Sequence, residues 1–126
     1  CNLKQLDLEG NNLTGFIPMQ IFNLSQIRIF SLTRNKLSGN LPRMGFPNLE
    51  ELYLAENNFW GPIPDSISNC SKLKIIEFAY NNFAGSIPNS FGDLRLLEIL
   101  SLAANNLTSD YSSSSSELSW INSLAN

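Results

Sequence analysis

Leu49–Pro64 reads LEELYLAENNFWGPIP, and its spacing decides how the rest of the chain is read. Leu49, Leu52, Leu54, Asn57 and Phe59 mark an L-x-x-L-x-L-x-x-N-x-F pattern, followed by a Gly61-x-Ile63-Pro64 tail. The Leu52-Tyr53-Leu54 alternation is the period of a strand with one buried face. So short a strand cannot bury that face alone, so the stretch requires copies of itself stacked beside it.

Four further copies lie in register. The five begin at Leu3, Ile27, Leu49, Leu73 and Leu97, spaced by 24, 22, 24 and 24 residues. Their inward pairs are Leu6/Leu8, Phe30/Leu32, Leu52/Leu54, Ile76/Phe78 and Leu100/Leu102. The asparagine recurs as Asn11, Asn35, Asn57, Asn81 and Asn105, and an apolar residue follows two positions on as Leu13, Leu37, Phe59, Phe83 and Leu107. This asparagine sits where the chain leaves the strand. Its carboxamide both donates and accepts, which suits it to pair the backbone of the adjacent loop in repeat after repeat.

The tails are Gly15/Ile17/Pro18, Gly39/Leu41/Pro42, Gly61/Ile63/Pro64 and Gly85/Ile87/Pro88. Glycine permits a turn at positive φ, and proline presets φ while removing a donor. Beyond the prolines, Ile21/Leu24, Ile67/Cys70 and Phe91/Leu94 lie three apart, which predicts short 3-10 or helical turns. The second copy carries Arg43–Asn48 (RMGFPN) there instead, which predicts an irregular segment. Cys70 fills the slot of Leu24 and Leu94, so it reads as a small buried hydrophobe rather than a nucleophile. The fold class is an α/β repeat solenoid, with a parallel sheet on one side and short turns on the other.

The fifth copy loses its tail. Thr108–Asn126 reads TSDYSSSSSELSWINSLAN, which predicts an insertion over about 109–120 within a single repeat domain of residues 1–126. Ser114 and Glu117 are placed for a capping box on a short helix that buries Leu118, Ile121 and Leu124. Neither end carries a polar cap or signal peptide, which suggests a segment of a longer protein.

The 24-residue unit with its L-x-G-x-I-P tail resembles the plant-specific class of leucine-rich repeats, and within it the ectodomains of plant leucine-rich-repeat receptor-like kinases. The resemblance implies a right-handed superhelix with a concave parallel sheet and a second small strand from the L-x-G-x-I-P region. It also implies exposure at the outer face of the plasma membrane, capture of a peptide or protein ligand, and pairing with a co-receptor ectodomain. Kinase-less receptor-like proteins and polygalacturonase inhibitors share the motif, and so remain open as alternatives. A third is a scaffold segment whose neighbours make the ligand contacts.

Composition narrows the chemistry. A net charge of −3 leaves no basic footprint for nucleic acid. No apolar run reaches the ~18 residues of a membrane span. The chain has no histidine, which excludes Ser-His and Cys-His nucleophiles. Its two cysteines, Cys1 and Cys70, are three repeats apart. Stacked strands advance ~4.8 Å each, so the two sit roughly 14 Å apart, beyond the ~7 Å that a disulfide spans. Two thiols without histidine make no zinc site. The segment is therefore expected to be non-catalytic, with neither cofactor nor metal.

Binding is read from the outward strand positions. Four columns cross the repeats: Gln5, Ile29, Glu51, Ile75, Ile99; Asp7, Ser31, Tyr53, Glu77, Ser101; Glu9, Thr33, Ala55, Ala79, Ala103; and Gly10, Arg34, Glu56, Tyr80, Ala104. Apolar and aromatic residues gathered on a concave face suit a protein or peptide contact, though cross-strand packing alone also accounts for them. The candidate ligand-binding set is Ile29, Glu51, Tyr53, Glu56, Ile75, Glu77, Tyr80 and Ile99. Asp7, Glu9, Glu51, Glu56 and Glu77 make the face acidic, and read as a solvated surface rather than a catalytic pair. Trp60, just past its strand, either anchors a contact or covers the neighbouring turn. Glycosylation acceptors stand at Asn12 (NLT), Asn23 (NLS), Asn69 (NCS) and Asn106 (NLT).

Overall fold

The computed structural model describes residues 2–108. Cys1, the expected insertion and the Ser114–Glu117 box lie outside the described residues. The described residues form ten strands: β1 (Gln5–Asp7), β2 (Thr14–Gly15), β3 (Ile29–Ser31), β4 (Lys36–Gly39), β5 (Glu51–Tyr53), β6 (Asn58–Pro62), β7 (Ile75–Glu77), β8 (Asn82–Ser86), β9 (Ile99–Ser101) and β10 (Asn106–Thr108).

The odd-numbered strands make one parallel sheet and the even-numbered strands a second. In the first, Gln5, Ile29, Glu51, Ile75 and Ile99 lie in register, as do Asp7, Ser31, Tyr53, Glu77 and Ser101. These two columns face outward on the concave side. Between them Phe30, Leu52, Ile76 and Leu100 point inward, at 0–1% exposure.

The core is a stack of side chains running along the solenoid. Phe30, Phe46, Phe59, Phe78, Phe83 and Phe91 are fully buried, layered among Leu49, Leu52, Leu54, Leu73 and Ile67. The Phe59 and Phe83 rings stack at 6.1 Å, and Phe83 meets Phe78 at 5.3 Å. Phenylalanines of the second, third and fourth repeats fill successive layers of this stack, so burial of one depends on its neighbours.

The asparagines seal the turns. Asn57 Nδ2 donates to the carbonyls of Leu32 (2.9 Å) and Leu54 (3.2 Å), while its Oδ1 accepts the Leu37 N–H at 3.0 Å. Asn35, Asn81 and Asn105 repeat the pattern, each taking one N–H and one carbonyl from the preceding repeat. Loop backbone that would otherwise be buried without partners is thereby satisfied.

Short 3-10 turns at Met19–Asn23, Asp65–Asn69 and Asn89–Asp93 form the convex side, each opening after the proline of its tail. The second repeat has none. Met44 and Phe46 drop into the core there instead, and the Phe46 ring meets Phe22 at 4.8 Å and Phe30 at 5.2 Å. The Met44 N–H finds its acceptor in the Ser66 hydroxyl at 3.2 Å. Cys70 is buried at 2% exposure, and burial pushes its thiol up to about 11, so it packs as a neutral hydrophobe.

Candidate functional site

Two outer columns differ from the sequence reading. They were expected on the strand, but Glu9, Thr33, Ala55, Ala79 and Ala103 lie beyond the three-residue strands, and Ala55 and Ala79 are buried. Gly10, Arg34, Glu56, Tyr80 and Ala104 then take left-handed backbone, at φ of 72°, 59°, 57°, 62° and 56°. The cause is the ladder. Each of Gly10, Arg34, Glu56 and Tyr80 donates its N–H to the next repeat's carbonyl, from Thr33, Ala55, Ala79 and Ala103 respectively. The chain must then bend sharply to deliver the asparagine inward. Of the five, only Gly10 signals this backbone in the sequence. The bend lifts Tyr80 out at the margin of the sheet, 64% exposed.

The structure brings Glu51, Tyr53, Ile75, Glu77 and Ile99 together on the adjacent strands β5, β7 and β9. Ile75 pairs directly with Ile99, and Tyr53 with Glu77. Ile29 stands apart from this ledge, because Glu51 separates it from Ile75. Ile75 is half-buried by the flanking strands, whereas Ile99 is 48% exposed.

Tyr53 is the best-positioned group. Its hydroxyl donates to Glu51 Oε1 at 2.6 Å, which holds the ring over the sheet. Burial first, then that hydrogen bond and the charges of Glu51 and Glu77, raise the phenol to about 12. Tyr53 is therefore a neutral donor at any physiological pH.

Charges are organised in two rows. At the margin, Arg34 lies between two carboxylates, 3.3 Å from Glu56 and 3.8 Å from Glu9. Ahead of the strands, Glu50 accepts Arg28 Nε at 2.8 Å and approaches Lys74 Nζ at 3.6 Å. The Arg28 hydrogen bond holds the Glu50 carboxyl below its ordinary value. Both rows are exposed and contribute modestly to stability.

Trp60 stands on the outer face of the second sheet, in β6 beside Asn82 of β8, and is 53% exposed. Asn12, Asn23, Asn69 and Asn106 are all exposed: Asn12 precedes β2, Asn106 opens β10, and Asn23 and Asn69 each close a 3-10 turn.

Comparison with known proteins follows the same lines. A family model described as leucine rich repeat matches residues 47–107, and a second of the same description matches residues 2–24. An inactive leucine-rich repeat receptor-like serine/threonine-protein kinase of Arabidopsis thaliana is 41% identical over 69 residues, covering 53% of this chain and 11% of that protein. The crystal structure of a TDR receptor is 40% identical with a TM-score of 0.82, over 83% of this chain and 18% of that one. The Arabidopsis receptor kinase HAESA, solved with the peptide hormone IDA and the co-receptor SERK1, is 33% identical with a TM-score of 0.80, over 84% and 18% of the two chains. The chain thus spans about a tenth of that relative and under a fifth of those structures.

Proposed function

The chain belongs to the leucine-rich-repeat family, in the form carried by plant receptor ectodomains, and we propose that it is an extracellular ligand-recognition segment of a plant receptor-like kinase. It takes a peptide or protein ligand on the concave sheet and supports pairing with a co-receptor ectodomain. Catalysis belongs to a kinase domain elsewhere in the parent protein. The setting is the outer face of the plasma membrane, in cell-surface signalling or immunity. Four exposed acceptor asparagines, Asn12, Asn23, Asn69 and Asn106, suit a glycoprotein made by the secretory route.

One observation carries the reading. Tyr53, Ile75, Ile99 and Tyr80 present apolar and aromatic surface on one side of a sheet whose inward residues already complete the core. The fold gains little from them, whereas a ligand gains rigid aromatic anchors. Affinity capture of extracellular peptides tests this. The intact protein should retain peptides that the Tyr53→Ala, Ile75→Ala, Tyr80→Ala triple variant, folded by circular dichroism, releases. Equal retention by both proteins rejects the concave face as the ligand surface.

A further inference from the structure

The charge of the molecule is sorted between its faces. The two columns on the concave strands hold three of the chain's eleven carboxylates (Asp7, Glu51, Glu77) and none of its eight cations. The remainder of the chain carries eight carboxylates and eight cations, so the whole negative excess lies on the concave face. At its margin, Arg34 is already held between Glu9 and Glu56, which leaves that face no unpaired cation among the described residues for an anionic ligand.

The carboxylates, by contrast, keep capacity. Glu77 has no side-chain hydrogen-bond or ion-pair partner among the described residues, and Glu51 accepts the Tyr53 hydroxyl on Oε1 alone. Tyr53 lies between these two, in register with Glu77 across the β5–β7 ladder. Its ring offers a π face flanked by two carboxylates, which is the chemistry that receives a guanidinium or ammonium group. Immediately beside it, Ile75 and Ile99 supply an apolar ledge.

Resting on the reading of this face as the ligand surface, we propose that its occupant is a basic peptide segment, with a lysine or arginine seated at Tyr53 between Glu51 and Glu77 and an apolar side chain on the Ile75–Ile99 ledge. Charge complementarity selects this class over acidic or neutral peptides, because an acidic segment would meet only like charge across the sheet.

A positional library of short synthetic peptides tests the assignment, with pools differing only in whether one position is Lys/Arg, Gln or Glu. On the immobilised intact protein, the Lys/Arg pools should be retained on the order of tenfold better than the Gln pools at ~0.05 M salt, with the advantage largely lost at ~0.5 M. The isosteric Glu51→Gln, Glu77→Gln double variant should bring the Lys/Arg and Gln pools close to parity. If retention needs Tyr53, Ile75 and Tyr80 but ignores peptide charge, or favours Glu, the basic-ligand assignment is overturned while the binding face stands. If no pool depends on those three residues, or none is retained, both are overturned.

Discussion

At the scale of single residues, position in the ladder decides cost. Asn57 satisfies backbone groups in two repeats and is buried, so Asn57→Leu strands the Leu37 N–H, while the carbonyls of Leu32 and Leu54 keep Asn35 and Asn81 as donors. For one buried orphan, the loss should reach about 1–3 kcal/mol in urea unfolding. Asn11 bonds only the exposed carbonyls of Leu8 and Glu9. Asn11→Leu should therefore cost under about 1 kcal/mol, although the two residues occupy the same sequence position. A second contrast comes from the left-handed column. Ala104 sits at φ 56° with an exposed side chain, so Ala104→Gly should stabilise by up to about 1 kcal/mol, once relieved strain is set against the entropy of glycine. Tyr53 supplies a pH signature. Its phenol is lifted to about 12 in the folded protein against about 10 unfolded, so folding favours the protonated form. That stability is complete below pH ~10 and is lost as pH rises toward ~12. Alkaline unfolding midpoints of wild type and Tyr53→Phe should converge across that interval.

At the scale of elements, the strands and the convex turns follow different rules. The concave strands are fixed by strict alternation, so their places were legible from Leu52-Tyr53-Leu54 and its copies. The 3-10 turns followed from the apolar pairs three apart beyond the prolines, whereas the second sheet was expected only from the resemblance of the L-x-G-x-I-P unit. The second repeat is where local pattern stops. Arg43–Asn48 lacks the paired apolar residues of a turn, yet Phe46 is as buried as any core residue, against Phe22 and Phe30. Phe46→Ala should thus cost about 3–5 kcal/mol, as a core cavity does, and calorimetry on the intact protein would read it. Period alone also hid where each strand ends. Ala55 and Ala79 continue the outward alternation in sequence, but the left-handed bend after them turns the chain and buries both. That bend arises from hydrogen bonds to the next repeat, a tertiary demand invisible in one repeat, and only Gly10 betrays it.

For the whole molecule, fold and function draw on different residues. The inward leucines, phenylalanines and asparagines specify the solenoid and were readable because they repeat. The candidate site sits at positions whose residue types vary among the five repeats: Glu51, Tyr53, Ile75, Glu77, Tyr80 and Ile99. The sequence columns already placed Ile75 beside Ile99 and Tyr53 beside Glu77, and the strand register agrees; the Tyr53–Glu51 hydrogen bond and the bend that lifts Tyr80 out were not legible there. The central claim is that the concave face, and not the second sheet, receives the ligand. Photo-crosslinking from single sites reads this most directly, with a photoreactive phenylalanine analogue placed at Tyr80 in one protein and at Trp60 in another. Exposed to extracellular peptides, the Tyr80 protein should form peptide adducts that the Ile75→Ala substitution suppresses, and the Trp60 protein should form none. Adducts from Trp60 with none from Tyr80 would contradict the account.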